Sequence, residues 1–256
     1  MADLTSEKYW SHRWVTRRTR QRRPWMRGER AWRVFLTEIL ADLPSSSRIL
    51  EVGCAPGQMV RRLVAVRPDL VIDGVDISEA GIERTRQVYQ AHGVQGELFL
   101  RDVRHLRAGS YDAVCSFGLI EHFDDPGEII AAHAAQVRPG GKVIVTVPNF
   151  GAPIVRWALE RFSRETTRTH NLGLMRRDEI ARRLEAAGLI EVATGAFGGC
   201  VLPRGALDAT VGGCIYGGVC SIWNGGLLLA DPVVRVSRWS PWQALIWATG
   251  VGRPDG

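Results

Sequence analysis

The chain contains 256 residues, of which 45% are apolar and 23% are charged. This composition excludes a wholly disordered or collagen-like protein and indicates one domain with additions. The net charge is +6, but residues 1–33 carry ten Arg or Lys and three Asp or Glu, so the remaining chain has a net charge of −1. A uniformly basic protein is therefore excluded, and any nucleic-acid partner would have to bind the N-terminal segment.

The chain begins with a segment rich in Arg and Trp, and a first helix is predicted just after it. Arg17–Arg23 is the densest basic stretch, and Pro24 interrupts it. Residues 29–42 carry apolar side chains three and four positions apart, which is the spacing of an amphipathic helix. Pro44 and the serines that follow it end this helix.

Strands and helices then alternate, which is typical of a parallel sheet covered by helices on both faces. The predicted strands are residues 48–52, 71–75, 97–100, 111–117 and 142–147. The first two predicted helices are residues 57–67 and residues 79–92, the second with Ser78 as N-cap. A third helix is predicted to begin at Asp125-Pro126, with the proline in its first turn, and to end at Arg138-Pro-Gly-Gly141.

The pattern is less regular after Pro148. The predicted elements are a helix over 153–162, a loop over 166–174, a helix over 176–187 with Gly188 as C-cap, a sixth strand over 189–197 and a last strand over 242–250. We divide the single domain into an N-terminal lid with helices (1–43), a cofactor-binding core (44–198), an insertion (199–241), and the last strand with its tail (242–256).

A glycine-containing loop, Glu51–Gly57, follows the first predicted strand and leads into a helix. Glycine there lets a ligand approach the backbone, and the helix N-terminus offers free N–H groups. Asp76 ends the second strand, where a carboxylate can accept both hydroxyls of a ribose. Asp102 follows the third strand. The carboxyl ends of parallel strands meet at one edge, so these positions are expected to line one crevice.

In this order the motifs resemble those of the class I S-adenosylmethionine-dependent methyltransferases, especially the branch that acts on small molecules and quinones. The resemblance covers about residues 47–198 and the last strand. The motifs are Glu51-x-Gly53-x-x-x-Gly57, Val75-Asp76-Ile77-Ser78, Arg101-Asp102-Val103, Ile120-Glu121-His122-Phe123 and Arg138-Pro-Gly-Gly-Lys-Val-Ile-Val-Thr-Val-Pro-Asn149. Ala55 departs from the family, which often has glycine there, but alanine is small enough for us to expect that binding survives.

The resemblance implies a Rossmann-like α/β fold. Its doubly wound seven-stranded sheet would have the order 3-2-1-4-5-7-6, with the last strand antiparallel. It also implies S-adenosyl-L-methionine as cofactor and S-adenosyl-L-homocysteine as product. The implied cofactor contacts are Gly53, Cys54, Ala55 and Gly57 beside the methionine part, Glu51 orienting the loop or its ligand, Asp76 on the ribose hydroxyls, Ile77 against the adenine, Asp102 on the adenine amino group, Val103 beside the ring, and Ser116 and Phe117 along the cleft.

Two alternatives stand beside this interpretation. A nicotinamide-dependent oxidoreductase would need G-x-G-x-x-G, but the second and third glycine positions hold Ala55 and Gln58. Taken singly, Gly53 and Gly57 are explained by turn geometry and Asp76 by a helix cap.

A hydroxyl acceptor must lose a proton when it is methylated, and histidine titrates in a suitable range. His122 follows the fourth strand and should face the acceptor pocket, and His170 lies in the loop expected to overhang the cleft. We predict that one of the two is the general base. The alternative is that both only shape the cleft. His92, His105 and His133 are predicted to be structural or solvated.

The N-terminal segment has several interpretations. We expect Tyr9, Trp10 and Trp14 to form a lid over the cofactor and acceptor, and Arg17–Arg23 to form a solvated helix face. The alternative is nucleic-acid binding, with arginines on phosphates and aromatic rings stacked on bases.

The insertion includes an uncharged stretch, residues 209–230, that holds six glycines. A membrane span needs about 20 largely apolar residues, so we expect no span. We expect the insertion to wall the acceptor pocket, with Tyr216 and Trp223 as apolar lining, or to form the contact of a homodimer.

The five cysteines are odd in number and lack the C-x-x-C spacing. Together with the absence of an apolar run after the N-terminal charges, this predicts a cytoplasmic protein without a structural metal or secretory signal. Cys54 and Cys115 are expected to serve packing.

The sequence therefore predicts methyl transfer from S-adenosylmethionine to a small, apolar or aromatic molecule, on oxygen as first choice, in natural-product biosynthesis. Nucleic acid is the less favoured partner. The alternatives are an RNA methyltransferase that uses the basic segment, an N- or C-methyltransferase of a small molecule, and a binding module that keeps the fold without the activity.

Overall fold

A computed structural model of the protein describes residues 3–16, 27–107, 109–151, 153–200 and 243–254. Almost all of the predicted insertion, including Tyr216 and Trp223, lies outside the described residues. The same holds for Arg17–Arg23, so their expected solvated face and the expected dimer contact stay predictions.

The described chain forms one seven-stranded sheet. The strands are β1 Arg48–Val52, β2 Val71–Asp76, β3 Leu98–Leu100, β4 Tyr111–Phe117, β5 Val137–Pro148, β6 Ile190–Cys200 and β7 Gln243–Val251. Their order is β3-β2-β1-β4-β5-β7-β6. Strands β1 to β5 pair in parallel, and β7 runs antiparallel to β5 and β6. The predicted fold class and strand order are confirmed.

Helices cover both faces of the sheet. They are α1 Glu7–Thr16, α2 Arg27–Ile39, α3 Gln58–Val66, α4 Glu79–His92, α5 Gly127–Gln136, α6 Pro153–Phe162, α7 Arg164–Thr169 and α8 Arg177–Ala186, with 3-10 turns at Val103–His105 and Ile120–His122. Most predicted boundaries agree with these to within three residues. Within the described residues, no helix is long and apolar enough to cross a membrane.

The core lies in two layers because successive side chains of a strand point to opposite faces. One layer contains Val143, Val145 and Val147 of β5 with side chains of α5 and α8. The other contains Ile144 of β5 with side chains of α2, α3 and α4. Cys115 is buried in the second layer, which confirms its predicted packing role, and Cys54 is also buried.

The segment Arg138–Gly141 does not close a helix as predicted but belongs to β5. The strand begins at Val137, which pairs with Tyr111, and a register shift then places Lys142 opposite Ala113. The glycines and the proline lie in this irregular stretch of the strand. A local turn pattern cannot reveal such a register, because it is set by a partner about 26 positions earlier.

Two helix ends and one loop also differ from the prediction. Pro126 is the N-cap residue of α5 instead of lying in its first turn, and Ala187 is the C-cap of α8, followed by Gly188 in a left-handed conformation. Helix α7, residues 164–169, includes the first four residues of the predicted 166–174 loop. Thr166 and Thr169 of this helix are buried, and the Thr169 hydroxyl donates to the Glu165 carbonyl one turn earlier at 2.7 Å.

Replacing Ser78 with alanine should lower the free energy of unfolding by about 1 kcal/mol, because a helix N-cap is lost. The Ser78 hydroxyl accepts from the Gly81 N–H at 3.1 Å, which confirms the predicted cap. It also lies 3.0 Å from the Ser11 hydroxyl of α1. Ser11→Ala is the matched control, because it keeps the cap and removes only the contact between helices. Urea denaturation should show the smaller loss for Ser11→Ala, and the reverse order would contradict the cap.

Candidate active site

A cavity opens at the carboxyl edge of the sheet, where the strand order reverses between β1 and β4. Its volume is about 1040 Å³, including the part open to solvent. This is the position at which open parallel sheets bind ligands. The wall includes Glu51, Val52, Gly53, Cys54 and Ala55 after β1, Asp76 and Ile77 after β2, Arg101, Asp102, Val103 and Arg104 after β3, and Phe117, Gly118, Leu119 and His122 after β4. The sequence prediction is thus met in outline, because four strand ends share one cavity.

The loop after β1 is held by backbone bonds and close packing. The Gly53 N–H donates to the Val75 carbonyl at 2.8 Å, which joins the ends of β1 and β2. Gly57 has φ +81°, and a Cβ there would lie 2.9 Å from Val88. Gly57 is absent from the cavity wall. Its requirement for glycine therefore comes from the packing of α3 on α4, although the sequence assigned it to the cofactor.

Ala55 replaces the glycine that the family often has, and the loop accommodates its methyl group. A Cβ on Gly81 of α4 would lie only 2.5 Å from the Ala55 Cβ. The missing side chain at position 81 therefore leaves the space that the extra methyl needs. Ala55 stays on the cavity wall, so its expected place in the cofactor site is consistent with the structure.

Asp76 links the loop to the cavity. One carboxylate oxygen accepts from the Ser78 N–H at 2.9 Å, and the other accepts from the Ala55 N–H at 3.1 Å. Burial raises the pKa of this carboxyl, and the backbone N–H groups partly offset that rise. Each oxygen retains a second lone pair. Asp76 can therefore hold the loop in place and also accept hydrogen bonds from a ligand in the cavity.

Glu51 places a buried carboxyl on the cavity wall. Its side chain is 2% exposed, and its Oε2 atom has no hydrogen-bond partner among the residues that the structure describes. Burial raises the pKa of Glu51 well above its usual value, and the nearby Asp76 charge adds to the rise. A buried polar atom without a partner is costly, and a cationic ligand group would supply one.

Asp102 is bound by an arginine that the sequence did not single out. Its carboxylate accepts from the Arg104 side chain at 2.6 and 3.1 Å, and Arg104 also binds Asp3 at 3.0 Å. Partial burial alone would raise the pKa of Asp102. The hydrogen bonds and charge of Arg104 outweigh this effect, so the pKa lies below its usual value. Asp102 and Val103 both line the cavity. An adenine amino group would therefore share this carboxylate with Arg104.

Ser116 and Phe117, at the end of β4, were both expected to line the cleft, but only Phe117 does so. Phe117 lies on the cavity wall, and its ring meets Trp32 edge to face at 5.6 Å. Ser116 points away: it is fully buried in β4 and is absent from the cavity wall. The period of two along a strand explains this, because neighbouring residues face opposite sides.

The N-terminal helix α1 lies against the cavity, as the predicted lid should. Trp10 and Trp14 line the cavity, with ring centroids 5.5 Å apart and nearly parallel planes. Tyr9 does not line it. The Tyr9 hydroxyl instead donates to Glu165 at 3.1 Å and accepts from Arg13 at 3.0 Å. Tyr9 therefore joins α1 to α7, while the two tryptophans face the cavity.

The two candidate bases lie together. The His122 and His170 ring centroids are 4.4 Å apart, and Trp10 meets His122 edge to face at 4.9 Å. His122 lines the cavity and His170 lies behind it. Burial lowers the pKa of His122 to about 3, with a smaller contribution from His170, and burial also lowers the pKa of His170. A group with a pKa near 3 binds a proton poorly at neutral pH, which weakens the case for His122 as general base.

The other histidines fit the roles expected for them. His133 is fully buried, and its ring contacts the Ile129 carbonyl at 2.6 Å, one turn earlier in α5. His92 and His105 are exposed. Glu121, which precedes His122 in the Ile120–Phe123 motif, is 1% exposed, and within the described part of the chain its Oε2 atom has no hydrogen-bond partner.

The donor set fits a nucleoside that carries a cationic amino-acid group, as S-adenosylmethionine does. Asp76 offers a carboxylate for ribose hydroxyls, and the unpartnered Glu51 carboxyl offers a partner for the α-ammonium. The small residues Gly53 and Ala55 leave the backbone accessible between these two carboxyls.

Comparisons with known proteins agree with this fit. A family model described as a methyltransferase domain matches residues 20–193. A ubiquinone biosynthesis O-methyltransferase of Xanthomonas axonopodis pv. citri is 31% identical over 109 residues, which are 41% of this chain and 45% of that protein. Ribosomal RNA small subunit methyltransferase C of Chromohalobacter salexigens is 34% identical over 144 residues, 54% of this chain and 42% of that protein. The chain thus spans less than half the length of these two relatives.

A solved structure supports the fold. The Haemonchus contortus phosphoethanolamine N-methyltransferase 2, in complex with S-adenosylhomocysteine, superposes with a TM-score of 0.58 at 17% identity and covers 86% of this chain and 52% of that one. The likeness to this structure concerns the fold, and the cofactor, S-adenosylmethionine, is assigned from the methyltransferase-domain match together with the two carboxyls on the cavity wall. With most of its length matched by one family model, the chain belongs to the methyltransferase domain family and is a class I S-adenosylmethionine-dependent methyltransferase.

Proposed function

We propose that this enzyme methylates a hydroxyl oxygen on a small, apolar or aromatic acceptor. The observation that carries the proposal is that the apolar side chains of Trp10, Leu119 and Phe123 line the cavity together with the His122 imidazole, which the Trp10 ring meets edge to face. Apolar walls with few polar groups are typical of small-molecule sites. The ubiquinone biosynthesis O-methyltransferase relatives support an oxygen acceptor, and natural-product biosynthesis is the setting we propose.

The cofactor supplies a methyl group already activated by a positively charged sulfur. The protein has to align the acceptor oxygen and keep water out. We assign alignment and water exclusion to Trp10 and Trp14, which lie over the cavity from α1. Their position is held by the Tyr9 contact to Glu165 and by the Leu4 N–H, which donates to the His122 carbonyl at 3.0 Å.

The acceptor hydroxyl must also lose its proton, and we propose that the pair His122 and His170 promotes this loss. Alanine at either position should lower turnover at saturating cofactor by about 100-fold, which is the usual contribution of assisted proton loss. His92→Ala, at an exposed helix end, is the control. Affinity for S-adenosylhomocysteine should stay unchanged in all three variants. If both His122→Ala and His170→Ala turned over nearly as fast as the parent, the histidines would have no role in proton loss. The protein would then contribute only by aligning the acceptor and excluding water.

A transfer assay tests the choice of acceptor class. The full chain is incubated with radiolabelled S-adenosylmethionine and, in separate reactions, with a panel of phenols and quinols, a small-metabolite extract, or total RNA. The ribosomal RNA methyltransferase relative makes the RNA reaction necessary. We expect label in solvent-extractable small molecules. Label in RNA, lost when residues 1–28 are removed, would instead favour an RNA acceptor bound by the basic segment.

A further inference from the structure

Glu121, His122 and His170 form a cluster of metal-ligating side chains at the acceptor side of the cavity. One ligand atom from each residue lies within 4.8 Å of the other two. Ligands of zinc or manganese lie about 2.0–2.2 Å from the ion, so their donor atoms are about 3–4 Å apart. Small side-chain rotations would therefore bring the three donors around one ion.

Backbone contacts hold the two parts of the cluster together. The Asn171 N–H donates to the Glu121 carbonyl at 2.7 Å, which fixes the segment after α7 beside the turn after β4. The His122 Nδ1 atom lies 2.6 Å from the Thr169 carbonyl, and the His170 Nδ1 atom lies 2.9 Å from the Thr166 carbonyl.

These contacts also determine which ring nitrogens are available. A carbonyl oxygen only accepts, so Nδ1 carries the hydrogen in both rings and the lone pair lies on Nε2. Metal-binding histidines are commonly oriented in this way, with the second nitrogen donating to a carbonyl or carboxylate. Both imidazoles are thus oriented as neutral ligands.

Glu121 supplies an independent observation. Its carboxyl is almost completely buried, and its Oε2 atom has no hydrogen-bond partner in the described structure. Burial of such a group without a partner is costly, whereas a bound cation would satisfy it. The positive charge of Arg13 lowers the pKa of both His122 and His170. The Arg13 guanidinium lies 3.9 Å from the Glu165 carboxylate, which offsets this charge.

We propose that Glu121, His122 and His170 bind one divalent cation of the zinc or manganese type, and that this cation coordinates the acceptor hydroxyl. Two imidazoles and one carboxylate leave coordination positions open, and His122 borders the cavity from which an acceptor would enter. The coordinated hydroxyl has a lowered pKa and releases its proton to water. The histidines then act as ligands and not as the proton acceptor. This inference rests on the proposed O-methylation and departs from the metal-free expectation of the sequence.

Direct cation binding tests the site without an acceptor. Chelator-treated full-length protein is titrated with Mn²⁺, monitored by electron paramagnetic resonance, and with Zn²⁺ by calorimetry. We expect one ion per chain for the parent and at least tenfold weaker binding for Glu121→Gln and for His170→Ala. His92→Ala, which removes an exposed histidine, should bind like the parent. S-adenosylhomocysteine affinity in each variant shows that the fold is intact.

The outcomes separate the two proposals. A parent protein that binds neither ion, or Glu121→Gln and His170→Ala variants that bind Mn²⁺ as the parent does, would overturn the site. A parent protein that binds one ion but methylates its acceptor equally well with and without chelator would overturn the role of the ion. Transfer of label to RNA instead of a small molecule would refute the proposed function, while the binding titrations still decide whether the three residues hold a cation.

Discussion

Replacing Asp76 with alanine should weaken S-adenosylmethionine binding by about 100-fold or more, measured by calorimetry with the full chain. Hydrogen bonds to a charged group contribute about 1.5–3 kcal/mol each, and every 1.4 kcal/mol changes affinity tenfold. The variant loses the carboxylate that we assign to the two ribose hydroxyls. It also frees the Ala55 N–H, which Asp76 holds at 3.1 Å, so the loop after β1 becomes less ordered.

Two further variants separate these contributions. Asp76→Asn keeps the size of the side chain and one carbonyl oxygen for the loop but removes the charge, so it should bind more tightly than Asp76→Ala and more weakly than the parent. Asp178→Ala removes an exposed aspartate of α8 that pairs with Arg176, the residue before the helix, and it should bind like the parent. Binding by Asp76→Ala within threefold of the parent would leave Asp76 only as a cap for the backbone.

The elements that the sequence predicted well are those with local determinants. The strands β1, β2 and β4 are short apolar runs bounded by proline, glycine or charged residues, and α4 has both a capping serine and a glycine end. The strand order is different, because it was implied by the family resemblance and not by periodicity. Where pairing between distant segments decides, as at Arg138–Gly141, local turn propensity gave the wrong element.

The site shows the same division. Gly53 and Asp76 were predictable because the carboxyl ends of parallel strands meet at one edge. The hydrogen bonds from Arg104 to Asp102 and Asp3 could not be predicted. They depend on side-chain directions in a 3-10 turn and on a partner, Asp3, that lies 101 positions away in the sequence. Tyr9 was predicted to belong to the lid together with Trp10 and Trp14, yet successive residues of a helix point about 100° apart, and its hydroxyl bonds to Glu165.

Cofactor binding should release protons from the parent enzyme but not from Glu51→Gln. In the free protein, burial raises the pKa of Glu51 above its usual value of 4.5, so the carboxyl retains its proton at higher pH. The cofactor's α-ammonium would favour the ionised form and lower that pKa. The protein then binds fewer protons in the complex than alone. By linkage, affinity rises with pH between the pKa of Glu51 in the complex and its raised pKa in the free protein, by at most about tenfold per unit.

Calorimetry in phosphate and in Tris at one pH measures the effect, because the two buffers differ in ionisation enthalpy and a released proton makes the apparent heats differ. Glu51→Gln keeps an acceptor oxygen but cannot ionise, so its heats should agree between buffers. Its affinity at pH 8 should be about tenfold lower, the difference between a charge-assisted and a neutral hydrogen bond. Glu38→Gln, on the exposed side of α2, should still show proton release.

The direction of the pH dependence distinguishes this role from a purely structural one. If Glu51 only supported the loop, Glu51→Gln would weaken binding by the same factor at every pH, and the parent would release no proton. If Glu51 instead meets the α-ammonium, the two proteins should bind with similar affinity near pH 5 and diverge as the pH rises. The buried Glu51 carboxyl, whose Oε2 atom lacks a hydrogen-bond partner in the described ranges, would then be the group whose ionisation completes the cofactor site.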